Sequence, residues 1–383
     1  MAERIEGPRA FGVEEEYQLL DAKSGAPVDR AAELILATPE LGKQTEREYF
    51  SSQLETATPI CREAHEAEES LTAFREAIAR AGEPSGVLLA GTGLPPVGGD
   101  TAGTVTPKPR YLLIASEVRA AAKYQYATGT HVHVEVPSRD AGVDVIARLA
   151  RWAPALLALT VNSPLWCGEP TGFASWRHLM GLSWPANAYP AGFDTAEEYD
   201  HAIERLISTR IVPDAGMLSW VIRLSANYPT VELRIADAQL RAGDAVSFAV
   251  IVRALVDRAL REAEQGLPRP RYTSGMVNGS DWMAARNGLG SELIDPLHAE
   301  SLPAFELVDR MLGTVEEEHD RFGDRERVDA YLRGLRAQGD PASRQLAAFE
   351  RGGIGALLEL YRGESPDRGD SAPASDEPVP AAS

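Results

Sequence analysis

Two hydrophobic rhythms divide this chain. In several short segments apolar and polar residues alternate, the period of a strand with one buried face. In AFGVEEEYQLLD, Phe11, Val13, Tyr17 and Leu19 share one face, interrupted by Glu15, while Glu14, Glu16 and Gln18 share the other. Residues 10–20 and 50–57 therefore read as strands, as do SGVLLAG, GTHVHVEVP up to Pro137, and the pair MLSWVIRLSA and TVELRIADA. Asn227, Tyr228 and Pro229 between that pair predict a hairpin turn. Helical spacing runs through residues 62–81, with Gly82 as the stop, and through RYLLIASEVRAAAKY. DAGVDVIARLARWAPALLALTV reads as one long helix kinked at Pro154. From Asp244 the pattern is helical nearly to Gly363, with breaks around 268–280 and near Pro303. Strands and helices do not alternate strictly, and short links join several strands. That favours an α+β fold, an antiparallel or mixed sheet with helices on one side. Residues 1–363 read as a single domain. Residues 364–383, ESPDRGDSAPASDEPVPAAS, read as a disordered acidic, proline-rich tail.

Composition narrows the partners. The chain has 383 residues and is 44% hydrophobic, enough for a substantial core. A net charge of −19 argues against nucleic acid, whose phosphates need a basic surface. ATP stays open, because bound cations can meet its charge. Cys61 and Cys167 form neither a zinc pattern nor a disulfide framework, so two reduced thiols of a cytoplasmic protein are expected. The segment MAERIEGPRAFG lacks the apolar core of a signal peptide, and the apolar run 153–161 is too short to span a membrane.

The polar faces of the strands carry the chemistry. Residues two apart on a strand lie about 6.6 Å from each other. Gln53 pairs this way with Glu55, His131 and His133 with Glu135, and Glu232 with Arg234, while Arg223 opposes Ile222 and Leu224. Any one such face suits a solvated sheet. Together they hold no lysine, and carboxylates outnumber arginines. If the strands are neighbours, these carboxylates repel unless a cation compensates. Carboxylates with one imidazole suit Mg²⁺ or Mn²⁺. Magnesium on carboxylates points to phosphate chemistry, yet no G-x-x-x-x-G-K-[ST] loop occurs. GTGLPPVGGDTAGT, residues 91–104, reads as a mobile surface loop, or a lid over a site.

Five motifs in order, FGVEEEYQLLD, SSQLETATP, GTHVHVEVP, SPLWCGEPTGFASWR and TVELRIADAQ, resemble the glutamate–cysteine ligase type 2 family, the YbdK-like carboxylate–amine ligases. The similarity covers roughly residues 10–335. It implies a glutamine-synthetase-like fold, a curved antiparallel sheet with an active-site face, backed by helices. It implies a cytoplasmic ligase using ATP and two or three Mg²⁺ ions, with Mn²⁺ as an alternative. An amide would form through an acyl phosphate, from a glutamate-like acid and a cysteine-like amine. The family's metal ligands fall on Glu14, Glu16, Glu55, His131 and Glu232.

Arginines lower the barrier between two anions, so Arg234, Arg223 and Arg177 are candidates for the transferred phosphoryl group or a substrate carboxylate, with Arg234 and Arg177 also holding the nucleotide. An ion pair with Glu232 is the alternative for Arg234, and a surface position the alternative for Arg177. His133 and Glu135 are expected beside the site. Trp166, Trp176, Trp184 and Trp220 either line an adenine or acceptor pocket or sit in the core. Cys167, inside SPLWCGEPTG, is expected to be buried, with a place close to substrate as the alternative. Three alternatives stand: the same chemistry on another acid and amine in a specialised biosynthetic pathway, a metal-dependent phosphohydrolase, and a non-catalytic nucleotide-binding relative. A homodimer is compatible with each.

Overall fold

The computed structural model describes residues 7–190 and 192–364, so the predicted tail, apart from Glu364, lies outside the described residues. Among these, seven strands form one sheet: β1 (Phe11–Asp21), β2 (Thr45–Arg47), β3 (Gln53–Ala57), β4 (Val87–Ala90), β5 (Gly129–Glu135), β6 (Ile222–Leu224) and β7 (Thr230–Asp237). Their order is β2-β3-β1-β5-β7-β6, with β4 also paired to β1, and every pairing is antiparallel. The alternation seen in sequence sends Phe11, Val13, Val132, Val134, Val231 and Leu233 to one face. There they pack with the buried sides of helices Arg139–Leu149, Ala153–Thr160 and Ala242–Glu264. Tyr17, Leu19 and Leu54 pack against Phe74 and Ile78 of helix Ala64–Gly82.

Glu15 interrupts this apolar face for a structural reason. Its carboxylate is fully buried and receives Arg75 Nη2 at 2.6 Å. Thr130 Oγ1 and the Gln239 amide each donate to its other oxygen at 3.2 Å, and the Tyr17 hydroxyl also donates. Arg75 spends its remaining donors on Tyr17 Oη and the carbonyls of Gln239 and Leu240. The pair is desolvated but saturated, the condition under which a buried ion pair is tolerated.

Several sequence expectations need correction. The long helix predicted around Pro154 is two helices, Arg139–Leu149 and Ala153–Thr160, with Pro154 in the first turn of the second. Proline lacks the N–H that a helix interior needs, so the chain breaks before it instead of bending at it. The strand expected over 217–226 shortens to β6, preceded by a 3₁₀ turn, Ala215–Met217. The break near Pro303 is a β-hairpin, Glu292–Asp295 with Glu300–Pro303, too short to carry a readable period. Gly91–Pro96, expected on a mobile surface loop, are buried. An added Cβ at Gly91 would lie 2.0 Å from the Gln239 carbonyl oxygen, so glycine there serves close packing. Cys61 is buried, whereas Cys167, expected to be buried, is exposed on the turn between Leu165–Trp166 and Glu169–Pro170, with φ of 54°.

Replacing Arg75 by Met would leave the Glu15 carboxylate buried without its cation. Chemical denaturation should show a loss on the order of 3–5 kcal/mol. A loss below about 1 kcal/mol would mean that the pair is not the anchor of this face.

Candidate active site

The register of the sheet decides whether the polar faces meet. Glu16 stands opposite Glu55 across β1 and β3, and Glu14 opposite His131 across β1 and β5. His133 stands opposite Glu232 across β5 and β7, and Arg223 opposite Glu232 across β6 and β7. Directly opposed residues of an antiparallel pair project on the same side, so the loaded faces join into one surface. One irregularity refines it. Val132 pairs with Leu233 and Thr130 with Ala236, leaving Arg234 and Ile235 together opposite His131. Such a bulge re-aims side chains locally. Ile235 thereby reaches the cavity wall, although strict alternation places it with Val231 and Leu233.

The side chains converge closely. His131 Nδ1 lies 3.4 Å from Glu14 and its Nε2 3.8 Å from Glu16, while His133 Nε2 lies 3.3 Å from Glu14. Two triads, Glu14 with His131 and Glu232, and Glu16 with Glu55 and His131, each offer ligand atoms within 4.8 Å of one another. Glu232 is held by Arg223 through a two-pronged pair, 2.7 and 3.0 Å, and also bonds Arg234. Arg223 donates further to the Leu218 carbonyl at 2.9 Å and does not line the cavity, so it acts on Glu232 and not on the open space.

Burial lifts the Glu16 carboxyl to about 8, helped by the nearby charge of Glu48 and opposed by Arg177 and Arg234. Burial, then Glu48, Glu16 and Glu14, also push Glu55 well up. Burial would raise Glu14 too, but hydrogen bonds and charge from His131 and His133 prevail and hold it far below the carboxylate range. At Glu232 burial is likewise overcome, by Arg234 and Arg223. Burial and the Arg234 charge lower His131 to about 4, so its imidazole is neutral at pH 7, the form that ligates metals. Excess carboxylates held apart from compensating charge, beside a neutral imidazole, form a donor set that fits a hard divalent cation.

A cavity of about 270 Å³ opens beside this cluster. Its walls include Glu16, His131, Arg234 and Arg177 on one side and Tyr49, Tyr111 and Trp184 on another. Trp184 is thus at the site, whereas Trp220 packs in the core against Phe193 and Tyr199, and Trp176 packs against Phe173. Trp166 also lies off the cavity, its ring within 2.3 Å of where a Cβ on Gly99 would stand. Glu135 lies at the strand end, accepting from the Ala10 amide. Sequence reasoning missed Glu48, which lines the cavity, accepts from Tyr111 Oη at 3.3 Å and acts on both Glu16 and Glu55. Glu46 and Glu48 alternate with Thr45 and Arg47, a period-two signal that lies ahead of the strand expected over 50–57.

Residues 10–363 match the family model described as glutamate-cysteine ligase family 2. This chain belongs to the glutamate–cysteine ligase family 2. It is therefore a ligase of the ATP-dependent carboxylate–amine class, for which ATP, a divalent cation and small-molecule substrates are expected. A protein of Nocardia farcinica, provisionally named glutamate–cysteine ligase 2-1, is 37% identical over 338 residues, 88% of each chain. The solved glutamate–cysteine ligase of Francisella tularensis, in complex with AMP, superposes with a TM-score of 0.69 at 14% identity, covering 94% of this chain and 88% of that one. The bifunctional glutathione synthetase of Pasteurella multocida gives 0.66 at 16% identity, with 94% of this chain covering 52% of that one, so this chain spans about half its length. These two likenesses show a shared α+β fold, an antiparallel sheet backed by helices. No helix among the described residues is long and apolar enough to cross a membrane.

The raised carboxyls predict a pH effect. Glu16 and Glu55 hold protons in the folded protein that the unfolded chain releases near the ordinary carboxylate value. Their contribution is complete below that value and is lost as pH rises toward about 8. Without metal, the melting temperature should therefore fall between roughly pH 5 and 8, and saturating Mg²⁺ should reverse the fall. A flat profile that Mg²⁺ does not move would contradict the crowding.

Proposed function

We propose that this ligase joins the γ-carboxylate of glutamate to the amine of cysteine or a related amine, through an acyl phosphate formed with ATP. The observation that carries this reading is the pair of carboxylate triads that share His131 and reach one cavity through His131 and Glu16. Glu14, Glu16, Glu55, His131 and Glu232, joined by Glu48, are the proposed ligands of two or three Mg²⁺ ions, with Mn²⁺ an acceptable substitute. When bound there, divalent cations neutralise charge on the phosphates.

The remaining work falls to the protein. A carboxylate must approach an anionic phosphoryl group, and Arg234 and Arg177 place guanidinium charge where the two anions meet. The Arg234 pair with Glu232 is the resting arrangement; an incoming anion competes for the same fork. Arg223 keeps Glu232 ionised and oriented for its ligand role. Tyr49, Tyr111 and Trp184 give the cavity a partly apolar wall that limits water, which favours attack by an amine over hydrolysis. Residues 10–363 are proposed to act as one catalytic domain.

A panel of acids and amines with ATP, read by ADP formation and product mass, tests the reading. ADP should appear only when both an acid and an amine are present, and ADP release from ATP without either would make the protein a phosphohydrolase. Glu55→Gln should abolish turnover at ordinary Mg²⁺ with the fold intact by circular dichroism; near-normal turnover removes Glu55 from the metal shell. Arg234→Lys should lose about 100-fold or more, since a point charge cannot replace the planar fork. A variant keeping most of its rate would reduce Arg234 to a peripheral ion pair.

A further inference from the structure

Asp237 ends β7 and lies inside the motif TVELRIADAQ, yet it belongs to neither carboxylate triad. Its side chain is fully buried and heavily bonded. Oδ2 accepts from the Asn162 amide at 2.8 Å and Ser163 Oγ at 2.7 Å, and Oδ1 from Ser175 Oγ at 2.9 Å. Arg177 Nη1 lies 3.6 Å from Oδ1. Both serines work twice. Ser163 Oγ also accepts from the Arg177 amide at 3.0 Å, and Ser175 Oγ accepts from the His178 amide at 3.2 Å, capping helix Trp176–Gly181. One carboxylate thus fixes the two hydroxyls that hold the amides of Arg177 and His178, and it also faces the Arg177 charge.

Two glycines make this cage possible. A Cβ on Gly129 would stand 2.3 Å from Arg177 Nη2, and one on Gly93 2.8 Å from Asp237 Cγ. Gly93 comes from the glycine-rich segment 91–104, so part of that segment's glycine content serves approach to Asp237.

Arg177 is held but not saturated. Its Nη1 and Nη2 donate to the carbonyls of Ile235 and Arg234 at 3.4 Å each, the long limit of a hydrogen bond, and its buried Nε has no partner. A guanidinium has five N–H donors, and buried polar groups are normally paired. Arg177 shares the cavity wall with Glu16, His131 and Arg234. We infer that Asp237 is a positioning residue that, through Ser163 and Ser175, holds Arg177 as a receptor for an oxyanion in the cavity. That oxyanion is either a phosphoryl group of the nucleotide or the carboxylate of the acid. The inference rests on the ligase reading above for its ligand, though not for its geometry. Were the cage only a strut between β7 and the Trp176–Gly181 helix, it would set stability and leave ligand binding alone.

Asp237→Asn keeps the shape and removes the charge. In the full chain, KM for ATP and for the acid are measured separately by ADP release. One of the two should rise about tenfold, the scale of a charge-assisted contact, and which one rises identifies the oxyanion. In an Arg177→Met background the same substitution should add less than about twofold, because the two residues act as one unit. Gly129→Ala, whose Cβ would stand 2.3 Å from Arg177 Nη2 and so crowd the guanidinium tip, should raise the same KM. The inference is overturned if Asp237→Asn lowers only the melting temperature with both KM values unchanged, or if its effect multiplies fully with that of Arg177→Met. Should no acid–amine pair support ADP release, the ligase reading fails by itself. Calorimetric titration with MgATP and with glutamate then decides the cage, where tenfold weaker binding of either in Asp237→Asn upholds it and unchanged binding of both refutes it.

Discussion

The structure depends on crowding of like charge that the sheet register makes unavoidable. Once β1 lies between β3 and β5, with β7 beyond, Glu14, Glu16, Glu55, His131 and Glu232 must share one face. Burial then raises two of the carboxyls, while histidines and arginines hold the other two ionised. No rearrangement within the strands relieves this, because slipping the register by one residue would send the aliphatic set to the polar side. The site's electrostatic demand for cations is therefore built into the backbone pairing.

The opposite face shows what holds that pairing in place. Aliphatic residues from four strands pack on three helices, and the single acidic intruder, Glu15, is matched by Arg75, Tyr17, Thr130 and the Gln239 amide. The two faces meet charge in opposite ways. Behind the sheet every donor and acceptor around Glu15 is supplied by the protein. In front, Glu16, Glu55 and Arg177 lack full compensation from the chain itself. Unmet charge gathered beside a cavity marks a binding surface rather than a strut.

Much of this could be read from the sequence because period-two alternation is a local signal. It placed Glu14, Glu16, Glu55, His131 and Glu232 on polar faces, and the family resemblance joined those faces. Features that depend on contacts distant in sequence were not readable. Glu48 acts on residues of β1 and β3 from a segment that carries only three strand residues before it. The bulge opposite His131 lets Ile235, a core residue as its alternation with Val231 and Leu233 implies, line the cavity as well. Gly91 and Gly93 resembled loop glycines, because nothing local announces that Gln239 and Asp237 press against them. Asp237 itself carries no local mark, since its serines lie some sixty to seventy-five positions away.

The central claim is that acidic side chains from separate strands converge on divalent cations. Anomalous scattering from crystals of the full chain grown with Mn²⁺ tests it most directly. The account predicts strong peaks within coordination distance of Glu14, Glu16, Glu55, His131 and Glu232. Density free of such peaks, or ions bound only on distant surface carboxylates, would contradict it.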